Sequence, residues 1–304
     1  MDELARIVQR LVPELGAPEG EPAPLDGGIT NRNFRARLGG RDYVIRMPGK
    51  DTGLLEIDRG AEQAANRRAS ELGVAPPVAA ALDDPVCLVT EFVAGEEMSS
   101  EDLRGAEVTA RVAAALRRFH DSGLELTTDF DSFRIVERYA NTARERGVQI
   151  PPDYEESHER AAEIEAVLSG PEHDPVACHD DLLAANFISD GDHLWIVDWE
   201  YAGMGNRYFD LANFGINNEL DDDQQVSLLE AYFGEPPDGR RLASLRLMRF
   251  MSDFREAMWG VVQQAISTLD EDFEAYAARH FTRLLDGAAG LPLDDLLAAA
   301  AEPA

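Results

Sequence analysis

The sequence predicts an α+β protein in two unequal parts, a strand-rich segment over residues 1–94 and a mainly helical one over residues 95–304. Three observations predict it. Up to Phe92 the apolar residues fall in short runs punctuated by glycine and proline, the pattern of strands and tight turns. After Gly95 they recur every three to four residues over long stretches, the pattern of amphipathic helices. A chain of 304 residues with 44% hydrophobic content also exceeds the size, roughly 250 residues, above which a single core tends to split.

Taken in order, Leu4, Ile7, Val8 and Leu11 make one face of a short helix that ends in a Pro- and Glu-rich linker reaching Pro24. Gly27-Gly28-Ile29-Thr30-Asn31 leads into two antiparallel strands, Asn33 to Leu38 and Tyr43 to Met47, around a Gly39-Gly40 turn. Gly27 and Gly28, with Thr30 and Asn31 beside them, would let backbone N–H groups approach phosphates without side chains intervening, although a plain hairpin lead-in has the same composition. A helix is expected over Leu54 to Leu72, closed by Gly73, with Glu56, Asp58 and Glu71 on a solvated face. Val74 to Ala81, with Pro76-Pro77, reads as an apolar turn region, and Pro85 to Phe92 as a strand.

Beyond Gly95, Val108, Val112, Leu116 and Phe119 line one face of a helix over Glu107 to His120, and His120 is assigned no chemistry. A second helix covers Asp153 to Leu168, followed by a short strand at Val176 to Cys178. Three more helices are expected at Gln224 to Phe233, Arg241 to Leu269 and Asp272 to Leu285.

The formal charge of -30, with Lys50 as the only lysine, repels polyanions, so nucleic acid and anionic membranes are disfavoured as partners. Such an acid-rich surface fits solubility in high salt or simply a biased base composition, and both stay open. Cys87 and Cys178 show no metal spacing and read as buried thiols of a reducing compartment. Acids rather than bases follow Met1, and no apolar run reaches the 18 or so residues of a membrane span, so a cytoplasmic protein is expected.

The chemistry concentrates in His179-Asp180-Asp181-Leu182-Leu183-Ala184-Ala185-Asn186 and Trp195-Ile196-Val197-Asp198-Trp199-Glu200. Asp181 and Asn186 are five residues apart, so a loop rather than one helical turn must aim them at a common point. The Asp190-Gly191-Asp192 turn makes Asn186 to Ile188 and Leu194 to Val197 a hairpin that brings Asp198 alongside. Hard oxygens from Asn186 and Asp198 suit magnesium, with Glu200 in reach directly or through water. Asp181, left free of metal, would accept the proton of an attacking hydroxyl.

These motifs, a His-x-Asp-Leu-x-x-x-Asn loop and a strand ending in Asp198-Trp199-Glu200-Tyr201-Ala202, resemble those of the choline/ethanolamine kinase and aminoglycoside phosphotransferase superfamily. The stretch through Phe209-Asp210-Leu211-Ala212-Asn213-Phe214 resembles its choline kinase branch. The resemblance implies a bilobal protein-kinase-like fold and ATP and Mg2+ as cofactors. It implies that Arg46 stands where a protein kinase carries its phosphate-binding Lys, with Glu62 as its ion-pair partner. Backbone groups near Glu91 and Val93 would form the hinge that reads adenine. His179 would shape the loop by hydrogen bonding and Asp210 would brace it, the plainer reading of Asp210 being a helix N-cap. Asp180 occupies a variable place in the motif.

On the acceptor side, Trp259 and Tyr276 match the family's cage aromatics, a plain helix core being the other reading of Trp259. Two departures stand out: Glu256 replaces an expected Trp, and Asn217 replaces an expected Glu. The implied acceptor is a small cationic alcohol, with Glu256 supplying the charge lost at Asn217. Rivals are an aminoglycoside, thiamine or other metabolite kinase, or a kinase-like binding module that has lost turnover. The oligomeric state is left open.

Overall fold

The structure, a computed structural model, describes residues 3–25, 30–49, 52–267, 269–290 and 293–302. Helix α1 (Glu3–Leu15) runs past Pro13, further than its apolar face required. Five antiparallel strands follow, β1 (Ala23–Leu25), β2 (Asn31–Leu38), β3 (Arg41–Pro48), β4 (Val78–Asp83) and β5 (Val86–Glu91), in the order β1-β2-β3-β5-β4. Gly39 and Gly40 both take positive φ, which a two-residue hairpin turn of this twist demands. Ile7, Val8 and Leu11 of α1 bury against Ala36, Leu38, Ile45, Met47 and Val89, so the helix covers one face of the sheet.

The opposite face looks into a cleft. Between β3 and β4 lies α2 (Arg59–Glu71), which begins five residues later than the periodicity suggested. The side chain of Asp58 accepts from the Gly60 and Ala61 N–H groups at 2.8 and 2.9 Å, so it is the N-cap, while Thr52–Leu55 forms a separate turn of 3-10 helix. Val78 to Ala81, expected in a turn region, belongs to β4, because the residues after Pro76-Pro77 find an antiparallel partner in β5.

From Gly95 onward the chain is mainly helical. The helices are α3 (Ser100–Leu103), α4 (Ala106–His120), α5 (Ser132–Glu145), α6 (Asp153–Val167), α7 (Arg207–Asn217), α8 (Asp222–Phe233), α9 (Gly239–Ile266), α10 (Phe273–Gly290) and α11 (Leu293–Ala300). Two small sheets lie among them, β6 (Glu96–Glu97) with β8 (Phe187–Ser189) and β9 (Leu194–Ile196), and β7 (Val176–Cys178) with β10 (Gly203–Gly205). The β8–β9 hairpin is the one the Asp190-Gly191-Asp192 turn predicts. Helices α5 and α11 and the β7–β10 pair were not foreseen.

Helix α9 is the axis of this part, buried almost continuously from Ala243 to Gln263, with α5, α7 and α10 against it. A Cβ on Gly260 would stand 2.9 Å from Tyr276 Cδ1 and 3.2 Å from the Ala277 nitrogen, so glycine lets α10 approach closely there. Trp199 is fully buried between Phe119 and His179, at ring separations of 4.4 and 4.5 Å. Burying a ring of this size stabilises by about 3 kcal/mol, and here it fixes the loop that carries Asp198. Both cysteines are buried and free, and burial pushes the Cys87 thiol up to about 11. No helix among the described residues is long and apolar enough to cross a membrane.

Candidate active site

Strand β7 delivers the loop 179–186, and α7 holds it. Asp210 Oδ2 accepts from the His179 N–H at 2.8 Å and Oδ1 from the Asp180 N–H at 2.7 Å. His120 Nε2 meets the same Oδ2 at 2.9 Å, and its Nδ1 meets the Tyr232 hydroxyl at 2.7 Å. The N-cap of α7 is Asn206, whose side chain accepts from Tyr208 N–H, so the N-cap reading of Asp210 is corrected and the bracing one stands. Burial works against its ionisation, yet the His120 hydrogen bond and the His179 N–H hold Asp210 below the usual carboxylate range. Asn213 adds a second tie, accepting the Leu182 N–H at 2.5 Å and donating to Ser252 at 3.0 Å.

His179 is fully buried. Its Nε2 donates to the Val197 carbonyl at 2.9 Å and its Nδ1 accepts the Asp181 N–H at 3.2 Å, which defines a neutral tautomer. Burial lowers its pKa and keeps it neutral, and with both ring nitrogens engaged it ties the loop to Val197.

Asn186 donates to the Asp181 carbonyl at 2.8 Å and approaches the Asp181 carboxylate at 3.4 Å, bringing the first two predicted groups together. The Val197 N–H donates to the Asn186 carbonyl at 2.9 Å, which brings Asp198 to the same place. Asp198 takes a left-handed φ of 66°, a conformation that costs energy for a side-chain-bearing residue and is held by its surroundings. Its Oδ1 is buried, and although Arg46 Nη1 stands 2.7 Å away no hydrogen bond is aligned on it. With the Asn186 amide nitrogen committed to Asp181, its oxygen remains for another partner. These hard oxygens fit Mg2+.

Burial raises the Asp181 pKa well above the ordinary value; Glu256, Asp198 and Glu200 push the same way, and Arg255 opposes them. Glu200 is pushed up to about 7, by burial first and Asp198 next, against Arg46, Thr30 and Arg59.

Arg46, on β3, forms an ion pair with Glu62 at 3.1 Å as expected. Its charge is held despite burial by Asp198, Glu62 and Glu200. Arg59, which the sequence reading missed, reaches Glu62 at 2.7 Å and Glu200 at 3.5 Å; its spacing of three from Glu62 on one helix was the available signal. Thr30 donates to Glu200 Oε1 and Asn31 to Glu200 Oε2 at 2.8 Å. These two residues, expected beside phosphates, thus tie the edge of the Gly-rich segment to the loop that carries Asp198 and Glu200. Gly27 and Gly28 lie outside the described residues. A cavity of about 360 Å³ opens between sheet and helices, lined by Val44, Arg46, Leu88, Glu91, Val93, Asn186, Ile188 and Asp198. The two hinge candidates therefore share it with Arg46, Asn186 and Asp198.

Three of the four expected acceptor residues, Glu256, Trp259 and Tyr276, gather on α9 and α10, while Asn217 lies on α7. Trp259 and Tyr276 rings lie 5.5 Å apart, and Trp259 Nε1 donates to the Tyr201 hydroxyl at 2.9 Å. Tyr276 donates to Glu256 Oε2 at 2.7 Å. Tyr201 belongs to the motif that follows Asp198, and only the folded structure brings it to Trp259. Arg255, also missed, is buried, binds Glu256, lies over the Tyr201 ring at 4.3 Å, and stands 3.7 Å from Asp181 Oδ1. Asn217 closes α7, and its Nδ2 is buried without a partner among the described residues.

Comparison with known proteins agrees with this geometry. A model of the phosphotransferase enzyme family matches residues 21–245. The chain is 30% identical to a crystal structure of a choline/ethanolamine kinase family protein from Mesorhizobium loti, with 99% of each chain covered and a TM-score of 0.83. The fold is shared with choline kinase LicA from Streptococcus pneumoniae, at 24% identity, 95% and 100% coverage and a TM-score of 0.78. Ethanolamine kinase 2 of Rattus norvegicus is 26% identical over 309 residues, 91% of this chain and 79% of that protein. Given these matches and the loop, hairpin and cleft described above, the chain belongs to the phosphotransferase enzyme family, in its choline/ethanolamine kinase branch.

Proposed function

We propose that this phosphotransferase moves the γ-phosphoryl group of ATP to the hydroxyl of a small alcohol with an ammonium head, of the choline or ethanolamine kind. The observation that carries the reading is the position of Asp181, which touches Asn186 on the nucleotide side and faces Arg255, the partner of Glu256, on the aromatic side. In this reading residues 1–94 form the nucleotide-binding lobe and residues 95–304 the catalytic and acceptor-binding lobe. The protein works in the cytoplasm, where ATP is supplied.

Each group then has a task. The hinge near Glu91 and Val93 reads the base, while Arg46 and the Gly27-Gly28 segment hold phosphate oxygens. Asn186 and Asp198 would hold Mg2+, with Glu200 behind them. When bound, the ion supplies charge neutralisation at the β- and γ-phosphates. The acceptor hydroxyl gives its proton to the carboxylate form of Asp181, which the nearby Arg255 favours against burial, as its oxygen forms the new P–O bond, the bond to the β-γ bridging oxygen breaks, and ADP leaves. Positioning and electrostatics supply most of the rate.

A choice within the substrate class follows from Glu256. Its carboxylate can accept hydrogen bonds from a primary ammonium, which a quaternary one cannot donate, so ethanolamine is favoured over choline. ADP release with each alcohol, and 31P NMR of the product, test the assignment. Failure of both alcohols at millimolar concentration, with another metabolite turned over, would move the protein to a different acceptor class; absence of any Mg2+-dependent ATP consumption would leave a binding module.

A further inference from the structure

Asn33 lines the nucleotide cleft and has no task in the reaction described above. Cross-strand pairing sets Leu25 opposite Asn33, Asn33 opposite Arg46, and Arg46 opposite Leu88. Residues directly opposite on antiparallel strands project to the same face, and all four line the cavity. Asn33 therefore stands in the roof next to the guanidinium assigned to phosphate, in a row otherwise flanked by Leu25, Leu88 and, two pairs further on, Val44. Its Oδ1 is buried and accepts no hydrogen bond from any described residue. A buried idle acceptor is unfavourable unless a donor meets it.

The chemistry of ATP narrows what that donor is. Its phosphates are acceptors at neutral pH, so its donors are the exocyclic amine and the two ribose hydroxyls. The amine belongs at the hinge, beside Glu91 and Val93. Asn33 lies instead beside Arg46, at the phosphate side of the base, and the sugar is what joins base to phosphates. We propose that Asn33 is a specificity-determining residue that accepts a hydrogen bond from a ribose hydroxyl of the nucleotide, so that the enzyme selects ribonucleotides over deoxyribonucleotides. The inference rests on the ATP reading above.

The test is kcat/KM for ATP, 2′-deoxy-ATP and 3′-deoxy-ATP with saturating acceptor, in the wild type, Asn33→Val and Asn33→Thr. The wild type prefers ATP over at least one deoxy analogue by about tenfold, the size of one hydrogen bond. Asn33→Val lowers the ATP value to that of the disfavoured analogue, through KM rather than kcat, and Asn33→Thr, which keeps an acceptor oxygen, retains part of the preference. Equal use of all three nucleotides by the wild type overturns the proposal even if the variants fail to fold, as does an equal loss on all three in folded Asn33→Val. No use of ATP by the wild type in the presence of Mg2+ is a separate result, which removes the nucleotide reading and the proposal with it.

Discussion

The Tyr276 hydroxyl donates to Glu256 Oε2 at 2.7 Å, so a carboxylate stands inside the aromatic wall that Trp259 and Tyr276 form. This pairing makes the acceptor pocket testable one atom at a time. Tyr276→Phe keeps the ring and frees one carboxylate oxygen, and the KM for the ammonium alcohol is expected to change by less than about threefold. Glu256→Gln removes the charge and is expected to raise that KM about tenfold or more, with the KM for ATP little changed. Steady-state kinetics of both variants, alongside thermal unfolding, separates lost recognition from the destabilisation expected when buried Arg255 loses its partner.

Asp181→Asn is isosteric and is expected to lower kcat by about 10²- to 10⁴-fold, the usual worth of a positioned base. Asn186 can still donate to the backbone carbonyl of residue 181, so the fold and nucleotide affinity persist. Calorimetric titration with nucleotide and a thermal melt check both halves of this expectation; a parallel loss of ATP affinity would instead make Asp181 part of the nucleotide site.

Asp180 gives a pH dependence of stability. Its side chain is fully buried, both oxygens lack hydrogen-bond partners among the described residues, and φ is 69°. Burial first, then Asp210, raises its pKa well above the ordinary value. The native state therefore keeps a proton that the unfolded chain releases near pH 4, and its contribution to stability is lost as pH rises above that point. Asp180→Asn, neutral at every pH, is expected to raise the melting temperature at pH 8 and to leave it nearly unchanged at pH 4. An equal shift at both pH values would show that charge is not the cause.

Gly260→Val places a branched side chain where even a Cβ would stand 2.9 Å from Tyr276 and 3.2 Å from the Ala277 backbone. Overpacking at such a contact costs about 1–3 kcal/mol. Because α10 carries Tyr276, urea unfolding should show the loss of stability and kinetics should show a raised acceptor KM; a neutral variant would mean that the two helices have room to separate.

How far the sequence could be read follows from the range of each signal. Helical periodicity in α4, α6, α8 and α9, alternation in β2, β3 and β5, and the spacing from Asp181 through Asn186 to Asp198 are local, so they survive in one dimension. The boundary errors have local causes too: Asp58 outcompetes Leu54 as the start of α2 because its carboxylate caps the free N–H groups, and Val78 to Ala81 become strand only because β5 is there to pair with them.

What sequence alone determined was the type of chemistry, because an ordered set of acidic and amide side chains on one loop and one hairpin has few other uses. Only the tertiary structure decided which distant groups make that set work. His120 reaches Asp210 across 90 positions, Arg59 stands near Glu200, and Arg255 lies between Asp181 and Glu256. Those partners are chosen by burial: a charge removed from water must find its counter-charge among whatever elements the packing of α4, α7 and α9 brings close, and no spacing along the chain records that choice.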